Sequence, residues 1–271
     1  MIRWCSWCKT YLGESPPWQS YQFTHALCAK CRRSVRFDDP AITEDAHRLS
    51  LWYAQLRLYA KKGNVDSFLE LINQASDLKV KPLDLMIGVV QPILYEIGDL
   101  WARGSVTVAH EHQFTSVALT LLTAVYSHYK ELEGTRRAHR GDILLANAEG
   151  NYHTLGIQLV ALSLASRSIP HDIAYPGLPT REIVDLVKRQ KPKILGISIA
   201  LPTQLKSVRE LAEGLQSLPS GERPEMFIGG IAVRDGLLLP KELNISVCTS
   251  LFEFPGLSDD EELVSGSDLL R

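Results

Sequence analysis

Residues 145–160 read LANAEGNYHTLGIQLV. The apolar run DILLANA, residues 142–148, ends inside this stretch and has the length and composition of a strand. Gly150 lets the chain turn tightly behind it. Gly156 lets something flat or bulky approach the start of the helix that the following residues predict. An imidazole, His153, stands between the two glycines. A histidine in this position can be a satisfied core or capping residue, a general base, or a metal ligand offered upward from a sheet. Its surroundings decide.

Toward the carboxyl end the pattern repeats. HDIAYPG is followed by TREIVDLVKRQ, KILGISIA by LKSVRELAEGLQSL, and EMFIGGIAV leads to NISVCTS. Short apolar runs alternate with amphipathic helical segments, which predicts a doubly wound, Rossmann-like parallel sheet over 140–252 and an α/β fold class. Ligands of such sheets bind beyond the carboxyl ends of the strands. The loops AEGNYHTLG, SIALPT and GGIAV all fall there, so His153, Ser198, Gly229 and Gly230 share one rim, and its small residues leave a slot running into the sheet. The last stretch, 253–271, is acidic and polar and is expected to be a loose tail.

Toward the amino end, residues 43–134 read as helices throughout. Thr43 is placed as an N-cap, with Leu49, Trp52, Tyr53, Leu56 and Tyr59 at helical spacing behind it. VDSFLELINQASDLKVK is a second helix. Pro82 opens a third, with Pro92 inside it as a kink, and Thr107 caps a fourth. Four helices with short connections predict a bundle. The chain of 271 residues suits two domains better than one, and its net charge of -2 gives no bulk attraction to nucleic acid or membrane. The amino terminus lacks an apolar signal region, and no run is expected to reach the ~20 apolar residues of a bilayer span. A soluble, cytoplasmic protein is the expectation.

Four of the five cysteines lie in the first 31 residues, as Cys5-x2-Cys8, nineteen residues, and Cys28-x2-Cys31. Two such knuckles supply the thiolates of a closed tetrahedral Zn2+ site. Free thiols in a leader without structure are the alternative, and His25 could stand in for one sulfur. Residues 1–36 are too short to build a core unaided. Arg32, Arg33 and Arg36 make the segment basic, which suits a solvated face, a protein-docking face or nucleic acid. Cys248 reads as a small core residue.

The motifs around His153 resemble those of the cobalamin-binding fold: Asn151-Tyr152-His153-Thr154-Leu155-Gly156, then Ser198-Ile199-Ala200-Leu201, then Gly229-Gly230. The resemblance covers about residues 43–250, bundle included. It implies that His153 ligates cobalt from the lower face and that the displaced dimethylbenzimidazole tail lies past Ser198, Gly229 and Gly230. Two departures stand out. Asn151 replaces the aspartate that orients the ligand histidine, and a neutral amide accepting the imidazole N–H raises its basicity less than a carboxylate does. Leu201 comes one place late in the serine motif, with Ala200 in its slot.

The bundle carries EIGDLWARGSVTVAHEH, in which Trp101 is followed after nine residues by Glu111-His112. On its own, Trp101 would be a core residue and Glu111-His112 a wet helix start. Beside the His153 motif the stretch resembles the cap of cobalamin-dependent photoreceptor regulators of the CarH and LitR type. That resemblance implies that Trp101 covers the upper corrin face and that Glu111 and His112 bond the ribose of adenosylcobalamin. In that family a histidine follows the tryptophan; here Ala102 stands there, leaving His110, His112 or water to take the vacated cobalt position. The regulators carry a DNA-binding helix-turn-helix where this chain carries the cysteine module. A non-enzymatic light sensor acting on a protein partner, such as a sensor kinase or transcription factor, is therefore expected, with a homo-oligomer open. A corrinoid methyl carrier and a light-independent cobalamin-sensing antirepressor are the alternatives.

Overall fold

The computed structural model describes residues 1–35, 40–133, 142–174, 176–243 and 245–257. Arg36 and most of the acidic tail lie outside the described residues. The chain divides into two compact units, and the division falls between Leu121 and Leu122, inside a helix.

The first unit opens with a small sheet in the order β2-β1-β3. Its strands are β1 (Ile2–Cys5), β2 (Tyr11–Glu14) and β3 (Phe23–Ala26), and a single turn of helix, α1 (Ala29–Arg32), follows. The helices are α2 (Pro40–Lys61), α3 (Val65–Ile72), α4 (Pro82–Leu85), α5 (Gln91–Ala102) and α6 (Val108–Glu133). Helix α2 starts three residues before the expected cap. Pro40 opens it, which costs no hydrogen bond because the first helical N–H has no partner in any case; Thr43 lies inside, exposed. Thr107 does cap α6, its Oγ1 accepting the His110 N–H at 3.2 Å.

Pro92 does not simply kink its helix. The break comes upstream, as a π-turn over Met86–Val90 in which the Gln91 N–H reaches the Met86 carbonyl, five residues back. Pro92 offers no N–H to the Gly88 carbonyl and its ring crowds that oxygen, so the widened turn absorbs the clash. By length and composition Pro82–Ala102 qualifies as a membrane span, contrary to expectation. More than half of it is buried in this unit, however, with Asp84 and Glu96 among its buried residues, so it is a core element.

The second unit is a five-stranded parallel sheet in the order β5-β4-β6-β7-β8. Its strands are β4 (Ile143–Asn147), β5 (His171–Ile173), β6 (Ile194–Ser198), β7 (Glu225–Gly229) and β8 (Ser246–Val247). Its helices are α7 (Leu155–Ser166), α8 (Thr180–Gln190), α9 (Leu205–Gln216) and the short α10 (Ile231–Arg234). Alternation along β4 feeds two cores. Leu144 and Ala146 pack with Ile183, Val187, Val208 and Leu211, and Ile143 and Leu145 pack with Ile157, Leu164 and Phe254. A strand buried on both faces has to be continuously apolar, which is why DILLANA shows no polar alternation.

Candidate functional site

Strands β4, β6 and β7 end level with one another: Asn147 lies opposite Ser198, and Ser198 opposite Gly229. From β4 the order runs to β5 on one side and β6 on the other, so the loop carrying His153 leaves at the topological switch point, where sheets of this kind bind ligands.

Asn151 holds that loop. Its side chain is fully buried. Its Oδ1 accepts the backbone N–H of His153 at 3.0 Å, and its Nδ2 donates to the Ser198 carbonyl at 2.9 Å. The expected bond to the imidazole is replaced by these two backbone bonds. They explain the departure from aspartate, since a carboxylate cannot donate to the Ser198 carbonyl. The His153 side chain stays exposed, with no ring hydrogen bond among the described residues.

Glycine is required at one point of the rim and lies close to the next strand at another. Gly230 has φ +113°, and a Cβ there would collide with the Ile199 carbonyl oxygen. A Cβ at Gly156 would lie 3.6 Å from Ser198 Oγ, so α7 begins directly against the end of β6. Leu201 is half exposed, and Ile199 takes the buried place behind Ser198. Sequence reasoning missed two residues. Asn147 donates through Nδ2 to the Asn151 carbonyl at 2.9 Å, while its Oδ1 is buried and without a partner among the described residues. Gln204 accepts the N–H groups of Ala200 and Leu201 at 2.8 and 3.1 Å and donates to the Gly150 carbonyl at 3.0 Å, tying the two rim loops together. Polar residues inside an apolar strand and behind a proline were the only available signals. A free imidazole, a row of side chains no larger than serine and an orphaned acceptor together fit a large flat metal-bearing group with a polar appendage.

In the helical unit, Trp101 lies in the last turn of α5 and is 48% exposed. Glu111 lies in the first turn of α6 and His112 directly after it, across a short turn with Gly104 at φ +72°. Glu111 Oε1 accepts the Thr115 hydroxyl at 2.7 Å, and His112 Nε2 lies 3.5 Å from Glu111 Oε2. His110 is differently placed. Its Nε2 is 2.7 Å from the Ala60 carbonyl and its ring packs on Phe114.

Comparison with known proteins matches residues 52–126 and residues 141–237 to two models, each described as a B12 binding domain. The chain carries two B12 binding domains. The helical B12 binding domain thus includes Trp101, Glu111 and His112, and the α/β B12 binding domain includes His153, Ser198 and Gly230. Among curated relatives, dimethylamine corrinoid protein 1 of Methanosarcina acetivorans is 28% identical over 138 residues, covering 50% of this chain and 62% of that protein. The HTH-type transcriptional repressor CarH of Myxococcus xanthus is 25% identical over 167 residues, 61% of this chain and 53% of that protein. A solved structure of the Methanosarcina barkeri monomethylamine corrinoid protein has the same fold, with TM-score 0.56 at 18% identity over 71% of this chain and 89% of that chain. Two B12 binding domains in one chain make this a cobalamin-binding protein.

The cysteine module precedes both B12 binding domains. Its knuckle turns between Cys5 and Thr10, with Lys9 at φ +58°. The Sγ atoms of Cys5, Cys8, Cys28 and Cys31 all lie within 4.8 Å of one another, and those of Cys8 and Cys28 are 3.8 Å apart. That separation matches the ~3.8 Å edge of a tetrahedron with ~2.3 Å zinc–sulfur bonds. Backbone N–H groups of Cys28 and Cys31 point at Cys5 Sγ and Cys28 Sγ, each at 3.4 Å. The cluster holds its protons unequally: a hydrogen bond from Cys5 brings the Cys8 thiol down to about 4, and the same bond, with burial, raises Cys5. Burial first, and hydrogen bonding to its neighbours second, push Cys31 up to about 11. His25 is not one of the cluster. Its Nε2 is 2.7 Å from Ser50 Oγ on α2, and burial, aided by Lys9, holds its pKa down. Arg32 and Arg33 are exposed, and Cys248 is buried beside the rim, its thiol raised to about 11 by burial and then by Glu253.

Proposed function

We propose that the α/β domain holds cobalamin with His153 as the lower axial ligand of cobalt. The observation that carries this is the exposed, unengaged imidazole that Asn151 fixes at the switch point, next to Gly156, Ser198, Gly229 and Gly230. These small residues would admit the nucleotide tail. The visible spectrum of the loaded protein tests it. His153→Ala is expected to lose the imidazole-ligated form and to bind less tightly; an unchanged spectrum would mean that another residue ligates.

Bound cobalamin supplies a cobalt–carbon bond, which a carrier uses to hand on a methyl group and a light sensor loses on illumination. The relatives weigh toward the carrier, since most of those found are corrinoid proteins. A carrier would meet methyltransferase partners. Trp101 supports the sensor, because a half-exposed indole at the α5–α6 turn, followed by Glu111 and His112, suits recognition of a bulky upper group such as 5'-deoxyadenosyl. Ala102 offers no metal ligand and His110 is engaged with Ala60, so on the sensor reading the exposed His112 is the imidazole of this turn that would be available to cobalt. The deciding measurement compares two loaded forms. Green light bleaching the adenosylcobalamin form to an aquo or histidine-ligated product supports the sensor. Stability in light, with methyl transfer from the methylcobalamin form to a partner, supports the carrier.

The four cysteines are assigned one structural Zn2+, on the strength of their convergence. About one zinc per chain is expected on elemental analysis, lost in Cys5→Ser with Cys8→Ser.

A further inference from the structure

The cysteine module does not stand apart from the helices: every one of its strands grips the segment Pro82–Ala102 or helix α2. The Tyr11 N–H donates to buried Asp84 Oδ1 at 3.1 Å, at the start of the segment. The Tyr21 hydroxyl donates to Asp99 Oδ2 at 2.7 Å, two residues before Trp101 at its end. Between these points the rings of Trp4 and Tyr11 press on the π-turn so closely that a Cβ at Gly88 would lie 2.5 Å from Trp4 and 2.7 Å from Tyr11. Phe23 stacks on Tyr53 of α2 at 3.7 Å, which backs Trp4 from the other side.

The four cysteines tie the parts of this grip to one another. Cys5 ends β1, Cys28 follows β3 and Cys31 lies in α1, so the cluster fixes the strands that carry Trp4 and Phe23. Lys9 is buried inside the first knuckle, where its Nζ donates to the Ser6 carbonyl and pairs with Asp45 of α2 at 3.2 Å. A tetrathiolate zinc centre carries two net negative charges, and a buried ammonium nearby offsets part of that charge while tying the knuckle to the helix. The π-turn is the weak point of the gripped segment, because its hydrogen bonds are those of a helix forced out of register by Pro92.

We propose that the metal-loaded cysteine cluster is a clasp on residues 82–102, so that metal occupancy sets the conformation of the helix that carries Trp101 in its last turn. This rests on the zinc reading of the cluster. It makes the amino-terminal module a second input to the cap, independent of what is bound at His153.

Hydrogen exchange followed by mass spectrometry on the full chain tests it, comparing zinc-loaded protein, protein stripped with a chelator, and Gly88→Ala. In stripped protein the peptides over 82–102 are expected to exchange about tenfold faster or more, while those over α3 and β4 are unchanged. Gly88→Ala, which keeps all four cysteines and the zinc, is expected to speed exchange over the same residues by displacing Trp4. Zinc present in the wild type, with exchange over 82–102 unaltered by stripping or by Gly88→Ala, overturns the clasp alone. Loss of protection spread equally over α3 also overturns it, since the metal would then serve the fold of the whole unit. Absence of zinc on elemental analysis overturns both the clasp and the reading on which it rests.

Discussion

Asn151 shows how one amide can set a ligand's position without touching its ring. It spends both polar atoms on backbone, the oxygen on His153 and the nitrogen on Ser198. Asn151→Asp would set a carboxylate against the Ser198 carbonyl. Urea unfolding should then show a loss of about 2 kcal/mol, the cost of a buried polar group facing a like one; a variant as stable as the parent would show that the Ser198 bond contributes nothing. Gly230 makes a sharper case. Its φ of +113° and the Ile199 oxygen beside it leave no room for a methyl group. Gly230→Ala is expected to cost about 3 kcal/mol or more and to reduce cobalamin affinity, readable by thermal unfolding and by titration.

At the scale of the element, helix α5 is held by a partly buried ion cluster. Glu96 accepts from Arg57 Nε and Nη2 at 2.7 and 2.6 Å, and Lys61 lies at 2.6 Å. Burial alone would push the Glu96 carboxyl up, but hydrogen bonds from Arg57 and Lys61, with their charges, outweigh it and hold it below the usual range. A carboxyl with a lowered folded-state pKa contributes stability above its unfolded pKa, and that contribution is lost as pH falls through the folded value. Glu96→Gln should therefore be less stable than wild type by about 2 kcal/mol near neutrality. The two should converge below about pH 4, and chemical denaturation at several pH values measures the difference. Trp101 belongs to the same helix. On the sensor reading, Trp101→Ala should weaken adenosylcobalamin relative to hydroxocobalamin, because the half-exposed indole is then what recognises the bulky upper group. An unchanged preference between the two cobalamins would remove the support for the sensor and leave the carrier.

At the scale of the whole chain, the cysteine cluster and the His153 site belong to different compact units. Cys5→Ser with Cys8→Ser should abolish zinc binding and destabilise the first unit, yet leave the imidazole-ligated spectrum of bound cobalamin in place. Loss of that spectrum together with the zinc would mean that the α/β domain cannot fold or bind without the module.

The sequence by itself determined the α/β unit and its rim. Strand and helix periods differ, and strands buried on both faces must be continuously apolar, so DILLANA, KILGISIA and EMFIGGIAV declare themselves before any contact is known. The glycine at 230 and the histidine at 153 could be placed on one rim from the alternation of strands and helices alone, because ligand loops of such sheets follow the carboxyl ends of the strands. The paired cysteines were legible through their spacing. What only the tertiary structure decided lies in contacts between residues distant in the chain. Asn151 meeting the Ser198 carbonyl, Gln204 bridging to Gly150, His110 committed to Ala60 and His25 to Ser50 leave no trace in local pattern. The cysteine module is the fullest example. Its residues predict a segment with no core of its own, and the core it lacks is provided by Gly88, Tyr53 and Asp84, which lie far along the chain. Periodicity records which face of an element is apolar; which partner covers that face is settled only when the chain closes on itself.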